Sequence, residues 1–209
     1  MTTPTVLAAT QTAQNIRKEI RAQRKALDAA TQRKCQRAIY RNLVRHPLFQ
    51  RAKVIGLYIA CNGEINPSSI IDTAIKHKKQ ICLPVLHPLK KKKLWFATYR
   101  PGDALKLNRY KIPEPRMTRR NRVSLQSIDL ILTPLVAFDK NGTRLGMGGG
   151  YYDRTFSYLQ RHAHWKKPKL LGLAYQFQQV EHLTRNSWDI PIYGVVTEKY
   201  LQILCSQYY

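Results

Sequence analysis

The chain has 209 residues, with 36 Lys and Arg against 12 Asp and Glu for a net charge of +24, and 44% of its residues are hydrophobic. Charges interrupt every apolar run well short of the ~18–20 residues that a membrane span requires, so no membrane is expected as a partner. The length suits one sizeable α/β domain over residues 16–209, behind a polar, loose tail at 1–15 that has neither the basic start nor the apolar stretch of a secretory signal.

From Ile16 to about Phe49 helix formers predominate, with apolar residues at Ile16, Ile20 and Leu27, then Ile39, Leu43 and Val44, at helical spacing. Asp28 to Thr31 interrupts the pattern, which predicts two helices with Thr31 as the cap of the second. Residues 53–60, KVIGLYIA, are apolar at nearly every position and read as a buried parallel strand. Asn66-Pro67 opens a helix over 68–78. Strands are predicted at 80–86 and 94–99, followed by a turn on Pro101-Gly102. Ile112-Pro113-Glu114-Pro115 is extended, because each proline pushes its predecessor out of helical space. The most apolar run, 128–138, is the expected central strand, and 170–175 and 194–204 supply the last strand material. Strands alternating with helical connections predict an α/β three-layer sandwich with a largely parallel central sheet and an N-terminal helical segment.

Positive charge concentrates in 17–53 and in 76–122, the second including the run Lys90 to Lys93, and each stretch holds only two acidic residues. Such a balance invites polyanions. Much of the first stretch reads as a solvated helix face, and no zinc finger, RNP signature or helix-turn-helix accompanies the charge. Nucleic acid is therefore not the expected partner, although the charge alone leaves it open. Cys35, Cys61, Cys82 and Cys205 lie far apart with no metal-ligand spacing, which suits a reduced, cytoplasmic chain.

Four of the chain's ten glycines fall between Gly146 and Gly150. A strand, a glycine run and a helix starting near Tyr151 form the arrangement in which bare backbone N–H groups face an anion such as a phosphate. Arg144 adds a forked cationic donor, and Asp153 offers a hard oxygen ligand for a magnesium ion between phosphates. The plainer alternative is a flexible glycine turn with Tyr151 and Tyr152 packed on the core. The run matches neither GxxxxGK[ST] nor GxGxxG, so the common nucleotide fingerprints do not decide the matter.

Arg144-Leu-Gly-Met-Gly-Gly-Gly-Tyr-Tyr-Asp153 resembles the RLGxGxGYYD signature of the 5-formyltetrahydrofolate cyclo-ligase family, also called methenyltetrahydrofolate synthetase. A basic N-terminal helix, a strand followed by a glutamate, a YxPGDxL-like turn, the IPEP segment and a closing VPxxxVVTE-like segment recur in order, so the resemblance spans roughly residues 16–199. It implies an ATP-dependent closure of 5-formyltetrahydrofolate to 5,10-methenyltetrahydrofolate, through phosphorylation of the formyl oxygen and release of ADP and phosphate.

The resemblance further implies ATP contacts at Arg17, Arg21, Arg144, Leu145, Gly146, Met147, Gly148, Gly149, Gly150, Tyr151 and Tyr152. It implies folate contacts at Ile59, Glu64, Met147, Gly148, Gly149, Gly150 and Tyr151, with Asp153 as the Mg2+ ligand. Arg144 is expected to stabilise the transferring phosphoryl group and Glu64 to orient the pterin, a placement that ligand binding beyond the carboxyl ends of parallel strands also favours. Four positions depart from the family pattern. Arg17 stands where lysine is usual, and Met147 and Gly149 stand where some relatives have cations. Tyr193 replaces a second acidic residue, for which Asp189 is the nearest substitute. A monomer is expected, with its basic surface recruiting the polyglutamate tail of the substrate.

Overall fold

The computed structural model describes residues 12–161 and 167–204. Most of the expected tail, and Cys205, lie outside them. Helix α1 (Ala13–Ala26) begins inside the stretch expected to be loose, because Thr12 caps it by accepting from the Asn15 N–H at 3.3 Å. Helix α2 (Ala29–Val44) is capped by Asp28 and not by Thr31: the Asp28 carboxylate accepts from the Ala30 and Thr31 N–H groups at 2.8 and 2.9 Å. Aspartate reaches both donors from the extended conformation that precedes a helix, and Thr31 serves it by donating its own hydroxyl. A short α3 (Pro47–Arg51) follows.

The strand expected over 53–60 forms a ladder only as β1 (Val54–Gly56). Beyond it the backbone turns over the sheet edge through Asn62 and Gly63, at φ 52° and 73°, and the Tyr58 hydroxyl pins the turn by donating to the Ile65 carbonyl at 2.6 Å. Helix α4 (Ser68–Lys76) stops two residues early, as Lys78 enters the left-handed region at φ 55°. Strand β2 (Gln80–Leu86) matches its expected range, and β3 (Leu94–Thr98) ends one residue before the expected 99. β4 (Leu105–Leu107) and β5 (Pro113–Pro115) form a separate hairpin, and β6 (Arg122–Val123) is an edge strand.

The run expected to be one central strand breaks at Pro134 into β7 (Leu130–Pro134) and β8 (Ala137–Phe138), and β8 leaves the main sheet to pair with β9 (Arg144–Leu145). The remaining elements are α5 (Tyr151–Phe156), α6 (Tyr158–Arg161), β10 (Lys169–Leu173), β11 (Gly194–Val196) and β12 (Leu201–Ile203).

The main sheet runs β12-β11-β10-β7-β1-β2-β3-β6. Its five central strands are parallel, and β12, β3 and β6 run antiparallel at the edges. Alternate side chains of the central strands enter two cores. Leu130 and Leu132 of β7 join Leu171 and Ile81 under α2, α3 and α4, whereas Ile131 joins Leu170 and Cys82 under α5 and α6. The sheet is therefore the middle of three layers. Chain order proceeds outward from β1 to β2 on one side and from β7 to β10 on the other, so a crevice opens at the carboxyl ends of β1 and β7.

The other ends of the same two strands are tied by Asp129, whose Oδ2 accepts from the Lys53 and Val54 N–H groups at 2.8 and 3.0 Å and whose Oδ1 takes the Lys167 ammonium. Partial burial pushes this carboxyl up, but the Lys167 bond and the two N–H bonds outweigh it and hold it below the usual carboxylate range. A depressed folded-state value means that the contribution to stability is full above the unfolded value of about 4 and fades as pH falls through the lower folded value. Asp129→Asn is expected to lower Tm at neutral pH, with the gap to the native chain closing below about pH 4 in thermal melts.

Candidate active site

Helix α1 lies across the crevice, docked by Ile16 and Ile20 against Val136, Ala137 and Leu183. Its exposed cations then reach the glycine loop. Arg17 Nε donates to the Gly146 carbonyl at 2.8 Å, and Arg21 Nη2 lies 3.7 Å from Met147 Sδ. Arg154, from α5, donates to the Gly149 and Gly150 carbonyls at 3.1 and 3.2 Å. The loop thus turns its carbonyls to arginines, while among the described residues no N–H of residues 146–150 has a protein acceptor. Gly148 and Gly150 make this possible at φ 94° and 64°, a region that side-chain-bearing residues rarely enter. Helix α5 has only six residues, so the anion-binding capacity expected of a helix start rests here on the loop N–H groups and the cations.

These groups border a cavity of about 920 Å³ lined by Arg17, Lys93, Arg144, Asp153, Trp188 and Asp189 among others. Arg144 and Asp153 form an ion pair at 2.6 Å, with their side chains only 6% and 23% exposed. Arg144 Nη1 also donates to the Ile190 carbonyl, and Asp153 Oδ1 accepts from the Ile190 N–H at 3.1 Å. The two residues expected to act separately on phosphate and metal are therefore each other's partners. Both bonds to Asp153 use Oδ1, which leaves Oδ2 for a cation.

Asp189 shares the cavity and accepts from the Asn186 N–H at 2.8 Å. Among the described residues no three His, Cys, Asp or Glu side chains surround one point. The donors present fit magnesium held by one or two carboxylates and completed by phosphate oxygens and water, and do not fit an all-protein cage. Tyr193 lies elsewhere. It precedes β11 at the opposite end of the strands, where the Lys169 ammonium sits 4.4 Å from its ring centroid.

Glu64 follows β1 and does not line that cavity. Its Oε2 accepts from the Cys61 N–H at 3.1 Å. Burial pushes its carboxyl above the usual range, opposed by the Cys61 N–H and by the charge of Arg24. Tyr152 joins the two sides: burial raises its phenol, the Glu64 charge raises it further, and Arg144 opposes them. Ile59 packs against the core beneath α2 and α4. Tyr151 is held by the β4–β5 hairpin, accepting from Arg109 Nη2 at 2.6 Å, with the Tyr110 hydroxyl at 2.8 Å. The hairpin is fixed in turn by buried Glu114, which accepts from the Leu86 N–H and from Asn108 Nδ2, both at 3.1 Å.

Lys93, Arg109, Tyr110 and Arg24 are the neighbours that sequence reasoning did not select. Lys93 was hidden in a lysine run, and the hairpin contacts join residues about forty positions apart. Arg24 did carry a signal, since it continues the Ile16, Ile20 spacing of the buried face.

A profile of the 5-formyltetrahydrofolate cyclo-ligase family matches residues 9–198. The 5-formyltetrahydrofolate cyclo-ligase of Haemophilus influenzae is 40% identical over 189 residues, covering 90% of this chain and 98% of its own. That of Escherichia coli is 38% identical over 178 residues, covering 85% and 96%. The solved 5,10-methenyltetrahydrofolate synthetase of Aquifex aeolicus superposes with a TM-score of 0.76 at 32% identity and 93% coverage of each chain. The chain belongs to the 5-formyltetrahydrofolate cyclo-ligase family and is an enzyme, a ligase that closes a ring.

The Arg144–Asp153 pair yields a stability test. Arg144→Met leaves a half-buried carboxylate and the Ile190 carbonyl without their cation, and should lower the unfolding free energy in urea by about 3 kcal/mol. Arg144→Lys should recover only part of this, because one ammonium cannot match a fork bonded to two acceptors.

Proposed function

Taking that membership as the premise, we propose that the enzyme converts 5-formyltetrahydrofolate to 5,10-methenyltetrahydrofolate with ATP, releasing ADP and phosphate. The observation that carries this reading is the docking of Arg17 and Arg21 on a glycine loop with unpaired N–H groups, at the rim of a cavity about 920 Å³ in size. Such a volume suits a nucleotide.

The formyl oxygen on the folate's nitrogen 5 is amide-like and a poor leaving group. Transfer of the γ-phosphoryl group to it makes a phosphate ester, and attack by nitrogen 10 on the same carbon then closes the ring as phosphate departs. Catalysis of the transfer rests on positioning and charge neutralisation. Arg17, Arg21, the N–H groups of Gly146 to Gly150, Tyr151 and Tyr152 hold the nucleotide. Lys93 and Arg154 add positive charge beside a loop that lacks cations at Met147 and Gly149. Arg144 faces the transferring group, with Asp153 Oδ2 and Asp189 as the carboxylates able to hold Mg2+. The ion would neutralise charge on the phosphates. Glu64 accepts from the amino and ring N–H groups of the pterin, Ile59 supplies an apolar wall, and Tyr151 with the loop closes over the substrate. The unpaired positive surface serves the polyglutamate tail of the substrate. The free thiols of Cys35, Cys61 and Cys82 agree with a cytoplasmic setting.

Purified protein given 5-formyltetrahydrofolate and Mg-ATP should gain the methenyl absorbance at the violet edge of the spectrum. No gain across divalent metals and pH would overturn the assignment. Arg17→Ala should raise KM for ATP about tenfold or more, as for loss of a charge-assisted hydrogen bond, and leave KM for the folate in place. The converse pattern would move Arg17 to the folate side.

A further inference from the structure

Helix α1 carries a third arginine besides Arg17 and Arg21, on the buried face that continues Ile16 and Ile20. Arg24 is only 2% exposed, whereas the other buried residues of the helix are the isoleucines at 16 and 20. Its Nη2 donates to the Leu135 carbonyl, but Nε and Nη1 are buried with no acceptor. A buried cation with two unfilled donors is a heavy cost for a position where an aliphatic side chain would pack. The fold therefore gains little from this arginine that the Leu135 bond does not already supply.

Arg24 packs on the loop that carries Glu64: a Cβ placed on Gly63, the residue before it, would lie 3.2 Å from Arg24 Cβ, and Glu64 is the one carboxylate that feels the Arg24 charge. The two are not bonded. Within 4 Å the ion pairs of the described residues are Arg144–Asp153 and Lys167–Asp129. Glu64 spends Oε2 on the Cys61 N–H and thiol, so Oε1 is left toward a ligand.

We propose that Arg24 is the counter-charge of Glu64, a positioning residue that keeps the carboxylate in the form able to accept from the pterin edge. The proposal rests on the reading above in which Glu64 binds the folate ring. Without Arg24, burial of Glu64 would be opposed only by its bonds to Cys61, and the carboxyl would rise further. A protonated Glu64 presents an O–H where the pterin also presents donors.

The other titratable groups facing Glu64 stay neutral through the pH range of interest. Burial raises Cys61 to about 11, with the Glu64 charge adding to it. Burial likewise raises Tyr58 at the end of the first strand and Tyr152 in α5 above the ordinary phenol value. Glu64, which burial pushes up, is thus the carboxyl of this cluster whose charge answers to pH on the acid side.

The test is the pH profile of kcat/KM for 5-formyltetrahydrofolate at saturating Mg-ATP. In Arg24→Met the acidic limb should move about one unit or more toward higher pH, carried by KM more than by kcat, with KM for ATP unchanged. Arg24→Lys should keep the limb near its native position. Glu64→Gln should abolish the limb and raise KM for the folate, and adding Arg24→Met to it should shift nothing further. If Arg24→Met fails to fold, Arg24→Gln, which keeps a donor for Leu135, gives the same comparison against lysine. A native limb in the neutral variants, with only a lowered Tm, would make Arg24 a structural residue and overturn the proposal alone. An unchanged folate KM in Glu64→Gln would overturn the placement of Glu64, and this inference with it.

Discussion

Parallel strands leave carbonyls without ladder partners where they end, and here the carbonyl of Leu135 is claimed from two directions. Arg24 reaches it from α1, and Gln178 Nε2 donates to it and to the Val136 carbonyl at 2.8 Å each. One residue on, the Val136 N–H donates to the Leu145 carbonyl at 2.7 Å. The junction after Pro134 therefore joins the N-terminal helix, the segment after β10 and the strand that launches the glycine loop. A backbone that had continued straight as a strand would have offered none of these bonds.

The same junction explains what could be read in advance. Both faces of the central strands are buried, so their apolar runs announced strands and a parallel sheet, and the glycine cluster announced the loop between β9 and α5. The break inside 128–138 was not legible, because the residues on either side of Pro134 are equally apolar and the deciding partners, Arg24 and Gln178, lie far away in the chain. Asp28 displaced Thr31 as the cap for a local reason, its ability to bond two N–H groups at once. The pairing of Arg144 with Asp153 was hidden for the opposite reason. Both residues flank the loop, but the eight positions between them say nothing of whether their side chains turn outward or toward each other.

Helix α1 bears on two parts of the fold at once. Arg17 and Arg21 reach the glycine loop, and Arg24, one turn further on, reaches beneath the helix to the Leu135 carbonyl. A helix held at both places cannot shift at one without disturbing the other, which couples the loop to the strand junction.

Net charge looked at first like the mark of a polyanion partner, but its distribution has a structural origin. Nine of the twelve acidic residues accept from backbone N–H groups: Asp28, Glu64, Asp103, Glu114, Asp129, Asp139, Asp153, Asp189 and Glu198. These carboxylates are occupied with turns and strand ends, and twelve acidic residues in all leave most of the 36 basic side chains without a partner of opposite charge. Because most carboxylates are engaged by backbone donors and not by cations, the cations around the cavity other than Arg144 keep their field. An unneutralised rim attracts anions before any specific contact is made, an effect that salt should weaken.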